Sequence, residues 1–474
     1  MNNDKRNIVI IGGGFSGSML AINLACDQSL SDYNIYIVEK NHEVPKGLAY
    51  STNTNLHLLN VPVKNMSAFS DKPDDFLDYC HEKWNRRVDL KELGNYYLPR
   101  AFYADYLKDK MNLAKSQFAN IKLVKAQAQD ILLKENHGYE VILDNNETLQ
   151  AQFVVLAVGN IAYGNPRIAN SDYFKSPTYV QNPWDMRYLS SLDPNKPVLI
   201  MGTAQTAIDI ALVLNDHGLA APIYMLSRHG YMSQPHTQAA TKVMCSGYDA
   251  GLNIDNLDKN ILKAFKQVRQ AIKQSHDWRL VIDSLRLFTQ KYWASLDIWQ
   301  KKRFTRHIQV IWDIHRHRLA MGVANDVNRL LDAGKIKILK GRIINIEEEG
   351  NMAKVTYRRR GENINSQLDV AYVFNCTGPN FNLKTLDNEL LRNLNASGFI
   401  CPHEFGVGVK TSNIYNIVDA SDKVLDNVYI MGPILKPQLF ETVAVPELRN
   451  EVKDIADKII NQVKNNYSVV LKKS

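Results

Sequence analysis

NIVIIGGGFSGSMLAINLACDQSLSDYNIYIVEK, residues 7–40, reads as a buried strand, a glycine turn, a helix and a second strand. Ile8 to Ile11 is an unbroken apolar run, the pattern of a parallel strand covered on both faces. Gly12, Gly14 and Gly17 follow in GxGxxG spacing, with Phe15 and Ser16 opening the helix; Glu39 closes the next strand 22 residues after Gly17. Each position has a physical task. The first glycine permits the turn, the second brings bare backbone to a pyrophosphate, and the third lets helix and strand touch. The helix N-terminus offers N–H groups to phosphate, and Glu39 accepts from a ribose hydroxyl. The stretch predicts a βαβ dinucleotide-binding unit.

A second copy of the order begins 190 residues later: PVLIMGTAQTAIDIALVLNDHGLAAPIYMLSRHG, residues 197–230. The glycine positions there hold Gly202, Ala204 and Ala207, with Thr203 beside the first. A methyl group at Ala204 stands where backbone normally meets pyrophosphate, so the second site is expected to bind weakly, in a displaced mode or not at all. Arg228 follows the second strand, placing a cation where an adenosine 2′-phosphate lies. The buried runs FVVLAVGN (153–160) and VFNCTGP (373–379) each stop at a glycine, Gly159 and Gly378, one on either side of the second unit. They suggest that the chain leaves a first domain and returns to it. The fold class expected is therefore α/β, two Rossmann-type dinucleotide-binding domains with the second inserted in the first. The boundaries read are 1–193, 194–345 and 346–474. Residues 255–320 add a helical segment with four of the six tryptophans, Trp278, Trp293, Trp299 and Trp312. Those rings serve either helix packing or a substrate lid.

Composition narrows the classes. A chain of 474 residues with 45% hydrophobic and 22% charged content buries more than one core. The first residues leave no room for a signal peptide, and no run reaches the roughly 18 apolar residues needed to span a bilayer. Five cysteines, at 26, 80, 245, 376 and 401, form neither a disulfide framework nor CxxC. A soluble cytoplasmic protein is expected. The net charge of +8 concentrates in residues 251–320, with 14 Lys or Arg against 6 Asp. That excess reads as a solvated helical face or as an attractor for a dinucleotide or anionic substrate, and no nucleic-acid motif accompanies it.

Six segments spread from residue 9 to residue 449 carry a resemblance: VIIGGGFSGSMLAINL, KGLAYSTNTNLHLLNVPVKNMSAF, YLPRAFYADYL, WDIHRHR, VFNCTGP and ETVAVPELR. Together they resemble an FAD/NAD(P)-binding family of flavoprotein monooxygenases that includes bacterial FAD-dependent urate hydroxylase and the aspartate N-hydroxylating nitrosuccinate synthase. The resemblance implies FAD on the first unit and NAD(P)H on the second. It implies a cycle in which the nicotinamide reduces the flavin, O2 adds to give a flavin hydroperoxide, and a small nitrogen-bearing substrate takes the distal oxygen. NADPH is favoured over NADH because of Arg228.

Several residues have two roles open to them. HLLNVP (57–62) lays backbone against a flat ring through Leu59; Asn60 either bonds the flavin edge or forms a turn. Met66 packs at the ring or in the core. Arg100 faces dinucleotide phosphate, the flavin rim or an ion-pair partner. His315 and Arg316 contact substrate or NADPH phosphate, or belong to a structural cluster. His315 and His317, two apart, point roughly 200° from each other on a helix, which argues against a metal pair. By resemblance, Thr377 and Gly378 pass the adenine end of FAD. Gly432 ends a strand before a helix whose positive end points to the flavin C2 carbonyl, and Pro433 replaces the acidic residue that often follows. Cys376 reads as a packed residue.

The leading function is an NAD(P)H-dependent monooxygenase for a small nitrogen compound, of the urate type or an amino-acid N-hydroxylase. A flavin-dependent oxidase or dehydrogenase and a noncatalytic flavin-binding protein are the alternatives. The absent dithiol argues against a disulfide reductase.

Overall fold

The computed structural model describes residues 6–471 other than 41–42, 135–137, 162, 238–249 and 413–414. Cys245 lies outside the described residues. Two largely parallel sheets organise the chain, the second with antiparallel pairing at its 336–370 edge. The first has the order Asn416–Val418, Val424–Ile430, Phe153–Leu156, Arg6–Ile11, Tyr33–Val38, Ile121–Val124, with only the outermost pair at the 416–418 edge antiparallel. Ile8, Val9 and Ile10 are fully buried because both faces are covered. One face meets the helices Phe15–Ala25, Arg100–Gln117 and Val445–Leu471. The other meets the three-stranded sheet Ala128–Leu133, Tyr139–Leu143, Thr148–Ala151 and the helix Glu389–Ala396.

The second sheet has the order Asn365–Val370, Met352–Arg359, Ile336–Glu349, Ile223–Ser227, Val198–Met201, Tyr372–Asn375, Tyr179–Val180. The helices Gln205–Asp216 and Met321–Asp332 share one apolar cluster against it. All its strands lie between residues 179 and 375, inside the span of the first sheet, so the second unit is an insertion. Its hydrogen bonding reaches past residues 194–345 on both sides, which moves the boundaries suggested by the sequence. The reason is strand pairing. Tyr372–Asn375 pairs with Val198–Met201 and not with the first sheet. The chain returns to the first sheet through Asn416–Val418 and Val424–Ile430 instead.

The helical segment leaves the second unit after Ser227 and comprises Ile261–Gln274, Trp278–Leu285, Thr289–Ser295, Ile298–His307 and Gln309–Arg316. Asn260, Asp277 and Asp297 cap three of these helices by accepting first-turn N–H groups. Lys263, Lys266, Arg269 and Lys273 sit on the exposed face of the first, so the local basic excess there is a solvated face. Trp299 is 74% exposed, while Trp293 is buried. No helix among the described residues is long and apolar enough to cross a membrane.

Candidate functional site

Gly12 lies at φ +112°, and a Cβ there would stand 2.2 Å from the Ala157 carbonyl oxygen. Its N–H donates to Val38 O at 2.9 Å, which ties the turn to the second strand. A Cβ on Gly17 would fall 2.0 Å from the Gly12 carbonyl oxygen. Gly14 caps the helix Phe15–Ala25 without any side-chain acceptor on the first-turn N–H groups. Phe15 turns its ring into the core and Ser16 is half-buried. Opposite Gly14 stands Gly47, at φ +57°, where a Cβ would be 3.0 Å from the Gly14 Cα. A diphosphate fits this helix end: both walls are bare backbone and no side chain of the turn competes for the donors. Glu39 Oε2 accepts from Gly13 N at 2.9 Å, so the carboxylate is aimed at the turn. The flanking glycines at 159 and 432 also have positive φ, and a Cβ on either would meet nothing within 4 Å.

The second crossing repeats this geometry. Gly202 lies at φ +126°; its Cβ would be 2.5 Å from the Cys376 carbonyl oxygen, and its N–H donates to Leu226 O at 2.8 Å. Ala204 caps the next helix at φ −89°, ψ −169°, close to the −74°, −165° of Gly14. That backbone is ordinary for alanine, and the methyl is exposed, so the substitution introduces no strain. Equivalence of Leu226 with Val38 puts Ser227 in the place of Glu39. Thr203 Oγ1 donates to Tyr231 O at 2.5 Å and meets Ser227 Oγ at 2.9 Å, so the Thr203 hydroxyl is spent on the turn. Arg228 is exposed beside it. Arg360 donates to His229 Nδ1, and His229 stacks on Tyr231 with centroids 5.5 Å apart. Burial, then Arg360 and Arg228, lowers the His229 pKa. The strand end thus gathers cations and no carboxylate in register with Glu39.

One expectation changes here. Thr377 and Gly378 follow the strand that packs on Gly202, so they flank the second crossing and not the adenine end of the first. Thr377 Oγ1 donates to Asn375 Oδ1 at 2.7 Å, holding the turn after the strand. Cys376 is buried, and burial raises its thiol pKa, in keeping with a packed residue.

The two units meet through a polar junction. Arg100 opens the helix Arg100–Gln117, donates from Nε to Leu58 O at 3.2 Å, and pairs through Nη2 with Asp209 Oδ2 at 2.7 Å. Of the roles open to Arg100, the structure places the ion pair. Asp209 is 5% exposed, and burial pushes its carboxyl up to about 6 although Arg100 pulls it down. Asn60 Nδ2 donates to Gln205 Oε1 at 3.0 Å, and Gln205 Nε2 donates to Arg318 O at 3.0 Å. His236 Nε2 donates to the Asn60 carbonyl at 3.2 Å. Asn60 therefore joins both units and the helical segment. His57 is fully buried with Nδ1 2.7 Å from Thr52 Oγ1, and its Nε2 has no hydrogen-bond partner among the described residues. Burial, then Arg100, lowers its pKa to about 4. Leu59 and Met66 are core side chains of the first unit.

The helical segment docks on the turn after Gly432. Arg316 is buried and pairs with Glu441 Oε2 at 3.3 Å and Glu447 Oε1 at 3.1 Å; Arg286 reaches the same Glu447 oxygen at 3.1 Å. Trp312 Nε1 donates to Glu441 Oε1 at 3.1 Å. Arg316 is thus a structural tie, whereas His315 lines an apolar cavity. Gly432 N donates to Glu451 Oε2 at 3.0 Å, and Thr442 Oγ1 donates to the other oxygen. Burial raises the Glu451 carboxyl to about 7.

Sequence reasoning passed over Gly47, Asp209, Gln205 and Glu451. Asp209 had a readable signal, a lone acid inside the apolar helix AIDIALVL. Gly47 and Glu451 had none, because only folding sets Gly47 against Gly14 and turns Glu451 back onto Gly432 and Thr442.

Residues 9–161 match the family described as FAD-NAD(P)-binding. No curated protein matches the chain by sequence. Among solved structures, the ornithine hydroxylase of Pseudomonas aeruginosa is similar at TM-score 0.66 and 14% identity, over 96% of this chain and 99% of that one. An ornithine N-hydroxylase from Kutzneria sp. 744 follows at 0.65 and 13%, over 97% and 100%. A thioredoxin reductase of Lactococcus lactis is similar at 0.54 and 10%, over 97% and 100%. What is shared at these identities is the fold, two Rossmann-type units with one inserted in the other.

Proposed function

We propose that the protein is an FAD- and NADPH-dependent monooxygenase that hydroxylates nitrogen on a small substrate. The observation that carries this reading is the repeated glycine crossing: two units of one geometry, joined by the Asn60–Gln205 and Arg100–Asp209 contacts. The first keeps Glu39 for a ribose, and the second replaces it with Ser227 and Arg228, which suits a 2′-phosphate. Two of the similar structures are named as ornithine hydroxylases, one of them as an N-hydroxylase, which supports nitrogen as the acceptor.

FAD supplies a two-electron relay between nicotinamide and oxygen when bound. Gly12, Gly14 and Gly17 with the helix end bind its diphosphate, and Glu39 orients its ribose. Gly159 and Gly432 offer backbone along the cofactor. Gly202 and Arg228 would hold NADPH; Asn60, at the junction of the two units, is the candidate contact to the flavin edge, and His315 is the candidate substrate contact. One oxygen atom of O2 ends on nitrogen and the other leaves as water; NADPH supplies two electrons and solvent one proton. Cytoplasmic residence accords with this cofactor use.

Purified protein should be yellow, and NADPH should bleach it under nitrogen faster than NADH does. Arg228→Ala should raise the NADPH concentration needed for half-maximal bleaching by about tenfold or more and leave the NADH value nearly unchanged, as loss of a charge-assisted phosphate contact requires. Colour without bleaching by either nucleotide would favour an oxidase or a noncatalytic flavin protein.

A further inference from the structure

The helices between residues 261 and 316, with Leu257 and Phe440, line a partly open cavity of about 320 Å³. That is roughly twice the volume of an engineered apolar cavity that takes up benzene. Its walls are aliphatic and aromatic. Among the lining residues, only Arg269, Thr289, Tyr292 and His315 carry hydrogen-bonding groups of the ordinary polar kinds, apart from the indoles, and none is Asp or Glu. Thr289 Oγ1 donates to Leu285 O at 2.7 Å and the Tyr292 hydroxyl to Asp258 O at 2.6 Å, so both hydroxyl protons are internally used. The indole N–H of Trp293 goes to Pro437 O at 2.9 Å, and that of Trp312 to Glu441. Arg269 is exposed, with its guanidinium 6.0 Å from the centroid of the lining Phe265 ring.

His315 is the remaining polar group. Its Nδ1 lies 2.7 Å from Ile311 O, which only accepts, so that nitrogen carries the proton. In the neutral ring Nε2 is then an acceptor. Phe440, eight residues after Gly432 in sequence, and Trp312 form part of the cavity wall. Phe440 sits at φ +65°, ψ −60°, with its ring 4.6 Å from Trp293 and 5.1 Å from Phe304. A bulky residue held at positive φ is the kind of strain that gathers at ligand sites.

We infer that this chamber is the substrate site, and that its substrate is an uncharged, mainly apolar amine about two fused rings in size, whose N–H is accepted by His315 Nε2. The inference rests on the monooxygenase reading and narrows it. A substrate such as ornithine would bring charges into walls that hold no carboxylate, and an unpaired charge in such surroundings is strongly disfavoured.

The test is calorimetric titration of the FAD-loaded protein with 1,2,3,4-tetrahydroquinoline, with tetralin, which lacks the donor, and with L-ornithine. Tetrahydroquinoline should bind more tightly than tetralin. His315→Phe should weaken it by about three- to tenfold, the worth of one neutral hydrogen bond, and leave tetralin unchanged. Ala264→Phe, which fills the chamber from a buried wall position, should weaken both more than tenfold while FAD content and Tm hold; Val268→Phe provides a second filling variant. Binding of either ring compound that ignores both filling variants overturns the inference. So does hydroxylation of L-ornithine with no tetrahydroquinoline binding, an outcome that leaves the monooxygenase reading intact. Variant-sensitive binding in a protein whose flavin NADPH never bleaches would sink the monooxygenase reading, and with it the claim that the bound amine is a substrate.

Discussion

Single atoms decide the first crossing. Gly17→Ala would force a methyl carbon to within 2.0 Å of the Gly12 carbonyl oxygen, so helix and strand must part, and the expected result is poor folding. Gly14→Val is different in kind. Its Cβ would meet the Gly47 Cα at 3.5 Å, an ordinary contact, so the protein should fold yet purify without flavin because the branched side chain fills the diphosphate approach. Absorbance at the flavin band against circular dichroism separates the two variants. Glu451 makes a pH prediction. Its carboxyl is raised by burial from 4.5 to about 7, so between those values the folded protein holds a proton that the unfolded chain has released. Stability contributed by this group is therefore present at low pH and lost as pH rises through that window, by on the order of 3 kcal/mol. Glu451→Gln retains an acceptor for Gly432 N–H and has a donor for Thr442. Urea denaturation should find it more stable than wild type at pH 8 and nearly equal at pH 5; a constant difference would contradict the raised carboxyl.

Elements hold their places by caps and by one charge cluster. The helical character of residues 255–320 was legible in their composition, and Asn260, Asp277 and Asp297 fix where three of the helices start. Its docking was not. WDIHRHR alone does not say that Arg316 faces Glu441 and Glu447, since the pairs span more than a hundred residues. Arg316→Met should destabilise the protein by about 3–5 kcal/mol, because the buried Glu441 loses its cation and the half-buried Glu447 keeps only Arg286. Adding Glu441→Gln should recover part of that loss. Hydrogen exchange should report the opening within 278–316 first; uniform loosening would mean that the cluster does not anchor this segment.

Across the whole molecule, Arg100–Asp209 is the charged contact between the two units. Asp209 is held at about 6, so the pair is fully charged only above that value. Asp209→Asn should slow anaerobic reduction of the flavin by NADPH about tenfold at pH 8, equivalent to ~1.4 kcal/mol, with FAD content unchanged. Below pH 6 wild type carries a proton there too, and the two rates should converge. A gap that persists at low pH would remove the ion pair from the coupling.

Residues 7–40 and 197–230 determined by themselves that two Rossmann-type units exist, because glycine spacing, apolar runs and helix starts are local properties of the backbone. Which strands complete each sheet was decided only in the tertiary structure. Tyr372–Asn375 looks like any buried strand in sequence, and its pairing with Val198–Met201 rests on hydrogen bonds that either sheet offers equally. The same holds for Arg100 and His315. A guanidinium or an imidazole has the same chemistry on phosphate, carboxylate or substrate, and only folding chooses the partner, by bringing Asp209 to one and an apolar chamber to the other.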